Sequence, residues 1–196
     1  MAMRILLQAL GLVLVSGCWL LVRVKRLAFA CVSRGRHRLL AVLVRLLGRR
    51  LAESSLYGDG TGLPSVCLLE HAAAHGDAKM VQVILSRHRR AGDGGHRCHP
   101  LYSVRGPGSD QKLRDLLDHG WRLDDVRDGC TPLFLAIGRA AAIRRLGSDS
   151  QTAFEMVRLM LEAGAGVDDR SQALAEFCGA DLEGLVEHKG LRPERH

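Results

Sequence analysis

No aspartate or glutamate occurs between Met1 and Ala52, although that stretch carries ten lysines and arginines. Taking those ten from the total of 28 leaves 18 basic against 21 acidic residues from Glu53 onward, a net charge of −3. The high pI therefore resides in one basic, apolar leader. That points to a membrane surface or a basic arm and argues against a nucleic-acid-binding domain. Aromatic residues make up only 4% of the chain, and none accompanies the Arg34-Gly35-Arg36-His37-Arg38 cluster. The stacking platform of a single-strand binder is thus missing, and no nucleic-acid partner is expected. The six cysteines (Cys18, Cys31, Cys67, Cys98, Cys130 and Cys178) contain no CxxC pair, which excludes a small disulfide-dense scaffold and hints at a reducing compartment. There is also no Gly-rich phosphate loop, no G-x-S-x-G and no H-E-x-x-H. No catalytic residue and no cofactor is expected.

What the leader does contain is an uncharged run, Ile5–Val22 (ILLQALGLVLVSGCWLLV). At the rise of a helix this run covers about 27 Å, just enough for the hydrocarbon core of a bilayer. Residues 1–26 are therefore expected to form a transmembrane or signal segment. As an anchor, the run is followed by many cations and preceded only by Arg4. The positive-inside bias then predicts a single pass of the inner (cytoplasmic) membrane with the rest of the chain in the cytoplasm. Alternatively, Val15-Ser16-Gly17-Cys18 resembles a lipobox, which would lipidate Cys18 and place the rest in the periplasm. Trp19–Val22 and the cations beyond oppose that export. A third reading makes the leader an over-extended start in a GC-rich frame. Residues 27–52 are expected to form a basic amphipathic helix, either on an anionic lipid surface or docked on the remainder. Residues 53–64 (ESSLYGDGTGLP) have the composition of a linker.

Beyond the linker the chain repeats itself. Leu69 to Gly76 and Leu101 to Gly108 are both steps of seven, and Pro100-Leu101 to Pro132-Leu133 is a step of 32. A second element recurs as Met80–Leu85, Leu113–Gly120 and Met156–Gly164. Its apolar residues (Leu113, Leu116, Leu117; Val157, Met160, Leu161) fall at i, i+3 and i+4, on one face of a helix. Gly120 and Gly164 stand where a left-handed C-cap is wanted.

These residues resemble the ankyrin repeat. Asp128-Gly129-Cys130-Thr131-Pro132-Leu133-Phe134-Leu135-Ala136 is similar to the family's DGxTPLHLA opening, with Phe134 where His is usual. Leu161–Asp168 is similar to its closing LLxxGADVN. In such an opening Thr caps a helix, Pro occupies its first turn and Leu enters the core. The resemblance implies an all-α ankyrin-repeat solenoid of helix-turn-helix units over residues 65–190, preceded by an N-terminal apolar helix. Its repeats would be 65–97, 98–129, 130–170 and a degenerate 171–190. About 12 extra residues in the third copy, near Ala140–Gln151, are expected to lengthen its first helix and add a loop at Gly147–Ser150. Pro107 is expected to truncate the first helix of the second copy. In the last copy Leu174, Phe177, Leu182, Leu185 and Val186 are expected to pack, with Glu176, Glu183 and Glu187 wet.

The same resemblance implies a non-enzymatic adaptor whose partner is another protein, bound by turn tips and first helices of a monomeric repeat domain. The candidate contacts are Tyr102, Trp121, Arg122, Asp124 and Phe134. For Trp121 the competing expectation is that it folds back over Leu123 and Val126. An exported lipoprotein or immunity-type binding protein is an alternative within the same class. A different class, a small Cys/His metal protein or enzyme, would centre on Cys67, His71 and Cys98. His96-Arg97-Cys98-His99 offers suitable donors but lacks a second pair of fixed spacing, so no metal site is expected. Cys98 and Cys130, at equivalent positions, are expected to lie too far apart for a disulfide. The lipobox-like signature and coding bias suggest a bacterial source.

Overall fold

The computed structural model describes residues 21–56, 66–88, 98–146, 150–182 and 184, and the chain divides into two compact units, Met1–Arg89 and Arg90–His196. It is predominantly helical, as an all-α chain should be. Among the described residues the only sheet is a ladder of two residues per strand.

In the first unit, helix α1 covers residues 21–33 and buries Ala28, Phe29, Cys31 and Val32. It is followed by α2 (His37–Leu47) and the single turn α3 (Arg49–Ala52). The one helix expected over 27–52 is therefore three. The breaks fall at Gly35 (φ 68°) and Gly48 (φ 57°), left-handed conformations that end a right-handed helix and that glycine adopts without a Cβ clash. Part of the expected linker is also structured. Strand β1 (Ser55–Leu56) pairs antiparallel with β2 (Val66–Cys67), Ser55 opposite Cys67, while residues 57–65 lie outside the described ones.

Helices α4 (Leu68–His75) and α5 (Ala78–Leu85) complete this unit. At the head of α4, Cys67 Sγ accepts from the Glu70 N–H at 3.2 Å, and a Glu70 carboxylate oxygen accepts from the Cys67 N–H at 3.0 Å. This capping box satisfies two donors that a helix N-terminus otherwise leaves open. Asp77 caps α5 through the Met80 N–H at 2.8 Å. The faces of α2 and α4 that carry Leu40, Val44, Leu69, Ala72 and Ala73 close over Met80 and Ile84 of α5, and all of these side chains are essentially inaccessible. Among the described residues no helix is long and apolar enough to cross a membrane; residues 5–20 of the candidate span lie outside them.

The second unit contains a 3-10 turn (Pro100–Ser103), α6 (Ser109–Asp118), α7 (Pro132–Arg145), α8 (Ser150–Glu162) and α9 (Asp169–Phe177). They form two rows: the 3-10 turn lies against α7 and α7 against α9, while α6 lies against α8. Leu113 and Leu116 of α6 and Val157 and Met160 of α8 are buried, at the spacing the sequence set out. Thr131 Oγ1 accepts from the Phe134 N–H at 3.2 Å, Pro132 holds the first turn of α7, and Leu133 is wholly buried. Helices α6 and α8 both close on glycine. Gly120 (φ 96°) and Gly164 (φ 89°) are left-handed, and the next residues, Trp121 and Ala165, bond back to the Leu116 and Met160 carbonyls at 3.1 and 2.9 Å. These are Schellman closures.

Helix α7 is long, 14 residues, as the extra segment predicted; Ser150 already belongs to α8, so only residues 147–149 fall between, outside the described ones. The first helix of the second copy is reduced to a short 3-10 turn that ends at Ser103, ahead of Pro107. In the last copy Leu182 is buried and Leu174 half-buried, but Phe177 is 77% exposed, against expectation. Phe177 ends α9 with its ring 5.9 Å from the Arg145 guanidinium, and no described helix covers it. Glu176 is exposed, whereas Glu183, Leu185, Val186 and Glu187 are not among the residues with described side chains.

Candidate partner-binding surface

The helix-opening positions set the register. Cys67, His99, Thr131 and Asp168 are the N-cap residues of α4, the 3-10 turn, α7 and α9. The first two steps from cap to cap are equal in length, and the third is slightly longer. Two positions on from the first three caps stand Leu69, Leu101 and Leu133, each buried. One position further stand Glu70, Tyr102 and Phe134.

Tyr102 holds the long connection between α6 and α7. The Tyr102 hydroxyl lies 2.7 Å from the carbonyl oxygens of both Asp125 and Cys130 and donates between them. Burial pushes this phenol above its usual tyrosine range, with Asp125 adding a smaller push, so it remains a donor. At the tip, Arg127 and Cys130 exchange backbone hydrogen bonds of 3.0 and 2.9 Å around a turn at Asp128-Gly129. The Arg170 guanidinium sits 5.2 Å from the centroid of the Phe134 ring and donates to the Gly129 carbonyl, tying α9 to the same tip. Arg139 of α7 donates back to the Tyr102 carbonyl. Its burial, and next the charge of Arg105, make its protonation less favourable than usual.

This geometry sorts the five candidate contacts. Tyr102 and Trp121 are buried, at 6% and 5% exposure, which takes both out of reach of a partner. Trp121 folds inward beside buried Leu123, with its ring edge-on to His99 at 6.4 Å, so the expectation of an indole projecting from the tip is corrected. The residue stands at the second position past the α6 C-cap, and its amide closes the Schellman motif, which directs the side chain back toward the helix. Phe134 is half-covered by Arg170. Arg122 and Asp124 are exposed and paired with each other at 2.6 Å. The hydrogen bond from Arg122 holds the Asp124 carboxyl below the usual range. Such an exposed pair adds little to stability and is available for exchange with a partner. Val126, which the folded-back indole was expected to cover along with Leu123, is instead 61% exposed, two residues beyond Asp124.

The residues of the Cys/His alternative do other work. Neither Cys67 nor Cys98 carries a free thiol, since both are disulfide-bonded, and the Cys67 sulfur caps α4. His71 Nε2 lies 3.0 Å from Ser33 Oγ, and its ring packs between Phe29 and His75 at centroid distances of 5.0 and 4.8 Å. Cys67 and His71 thus do not make a nucleophile and base, and His71 joins α1 to α4. Cys130 is a free thiol, so it is not bridged to Cys98. Cys31 and Cys178 are also free, and burial pushes the Cys31 thiol up. His96 and Cys18 lie outside the described residues. Comparison with protein-family models, with characterised proteins and with solved structures gives no significant match to this chain.

Proposed function

We propose that this chain is a non-catalytic adaptor of the ankyrin-repeat type, which presents a tip surface to a partner protein and is tethered to a membrane through residues 5–22. The observation that carries the repeat reading is the register of Leu69, Leu101 and Leu133. They recur at one constant step along the chain, each at the second helical position after a cap and each buried. The two rows in the second unit support it, because a helix pair with one apolar face needs neighbours on which to bury it. The tip around Arg122, Asp124 and Val126 is the surface such a module offers, held rigid by Tyr102, Arg139 and Arg170. A protein partner would replace the Arg122–Asp124 pair with its own charges and cover Val126. The tether reading rests on the uncharged run Ile5–Val22 and the cations that follow it.

A photo-crosslinking amino acid at Val126, compared with one at the exposed Glu155 of α8, tests the adaptor reading in the cell of origin. A discrete adduct of one mass from position 126 and none from position 155 is the expected result. Adducts from neither position, or the same set from both, would sink it. For the tether, reporter fusions at the C-terminus should be active on the cytoplasmic side. Activity of the same fusions on the outer side would establish the exported alternative instead.

A further inference from the structure

Helix α2 is apolar on two faces, and only one of them is used inside the first unit. Leu40 and Val44 are buried where α2 meets α5. Leu39, Val42 and Leu46 are 36%, 52% and 76% exposed. At about 100° per residue these three fall within roughly 60° of one another, along the side away from Leu40 and Val44. Arg38 and Arg45, both exposed, border the stripe along one edge, and Arg34 and Arg36 stand exposed at the start of the helix. The stripe is therefore a narrow apolar strip with guanidinium groups on its margin.

We infer that the outer face of α2 lies on an anionic lipid surface, with Leu39, Val42 and Leu46 entering the acyl boundary and Arg38 and Arg45 at the phosphates. The inference builds on the proposed tether and names the lipid class that the first unit meets. Charge complementarity selects the occupant. Residues 1–52 hold ten cations and no carboxylate, so an anionic headgroup layer neutralises what nothing in that stretch can. The border position of Arg38 and Arg45 fits the habit of long basic side chains, whose stems cover apolar surface while the charged ends reach the headgroups. The uncharged run shares Leu21 and Val22 with α1, so the same leader that would enter the bilayer feeds the unit carrying α2.

The test uses the full chain reconstituted into vesicles that contain brominated lipid. Leu46→Trp is made in a Trp19→Phe chain, with Trp121, buried in the second unit, as constant background. The indole introduced by Leu46→Trp should be quenched in vesicles of mixed phosphatidylserine and phosphatidylcholine, and much less in pure phosphatidylcholine. Adding Arg38→Gln and Arg45→Gln should lower the docked-to-undocked ratio about fivefold for each arginine lost, the pull that an anionic leaflet exerts on one cation near its surface. Quenching of Trp19 in the unaltered chain reports the tether separately. Trp19 quenched in both lipids, with the indole at position 46 unquenched or equally quenched in both, overturns the lipid surface and leaves the tether standing. Trp19 unquenched removes the tether, and the anionic-lipid dependence at position 46 then decides the surface by itself. A dimer in detergent that Leu39→Gln/Leu46→Gln disperses would assign the face to a second copy and also overturn the inference.

Discussion

Replacing Leu133 by alanine is the sharpest probe of the register. Leu133 is wholly buried in α7, two residues past the Thr131 cap. Truncation removes three carbons from water-free surroundings, worth about 2.4 kcal/mol at ~0.8 kcal/mol per methylene. The cavity left behind brings the total to roughly 2–5 kcal/mol, depending on how far the neighbours relax. A unit of this size has a stability of about 5–15 kcal/mol, so the change removes a large share of it. With roughly 4–8 °C per kcal/mol, a loss of about 3 kcal/mol lowers the midpoint by ~12–24 °C. The matching control is Leu146→Ala, because Leu146 is 85% exposed at the end of the same helix and should shift the midpoint by less than about 2 °C. The assay is a thermal melt of the full chain in detergent, followed by far-ultraviolet circular dichroism. Leu101→Ala should resemble Leu133→Ala, and the double variant should depart from additivity by more than about 0.5 kcal/mol, since the 3-10 turn and α7 are in contact. If Leu133→Ala melts like Leu146→Ala, or if the Leu101 and Leu133 effects simply add, the shared core of successive repeats does not exist.

Three further outcomes follow from single groups. Tyr102→Phe leaves the Asp125 and Cys130 carbonyls without their shared donor, and should cost about 1–2 kcal/mol and speed hydrogen exchange at the Arg127 and Cys130 amides; unchanged exchange there would refute the tip clamp. Gly164→Ala meets no atom within 4 Å, so its cost is the left-handed backbone alone, about 1–2 kcal/mol in a chemical melt, and Gly164→Asn should cost less. Asp168 accepts from the Ser171 amide at 2.7 Å, and hydrogen bonding to Ser171 holds its carboxyl below the ordinary 3.8. A depressed carboxyl stabilises the fold above that ordinary value, and the gain is lost as pH falls below it. Asp168→Asn, which keeps a capping oxygen, should therefore show a shallower loss of stability with acid below about pH 4 than the unaltered chain; equal slopes would mean that the ionised cap is not felt.

What could be read in the sequence was whatever depends on local geometry. Thr131, Pro132, Gly120 and Gly164 sit where short-range capping rules put them, because a cap needs only its own neighbours. The burial of Leu113, Leu116, Val157 and Met160 follows from periodicity for the same reason. Trp121 was harder. Whether a side chain after a helix turns outward or back depends on the closing hydrogen bonds and on the space beside Leu123, neither of which composition encodes. Nothing in the sequence singles out the three arginines that fasten the second unit, Arg139, Arg144 and Arg170. Each in fact donates to a backbone carbonyl far away along the chain, at Tyr102, Cys178 and Gly129 respectively. Only the fold brings those acceptors within reach.

The leader shows the same limit and also a consequence. Periodicity across residues 27–52 could tell that the segment is amphipathic, but not that Gly35 and Gly48 fold it back so that α2 covers α5. Once Leu40 and Val44 are committed to that contact, the outward-facing Leu39 and Leu46 cannot be explained as core. Leu46 gains nothing from the fold at 76% exposure, whereas an alanine or a lysine there would hold the helix as well and solubilise it. An apolar stripe kept beside Arg38 and Arg45 is stable in water only at a cost in solubility, and that cost disappears when the stripe faces lipid. The tether and the stripe then act together. A segment that holds the first unit near a bilayer raises the local concentration of headgroups, so even a strip of three apolar side chains would dock for most of the time. Raising ionic strength to about 1 M, where the screening length falls to about 3 Å, should release the strip while leaving the tether in place.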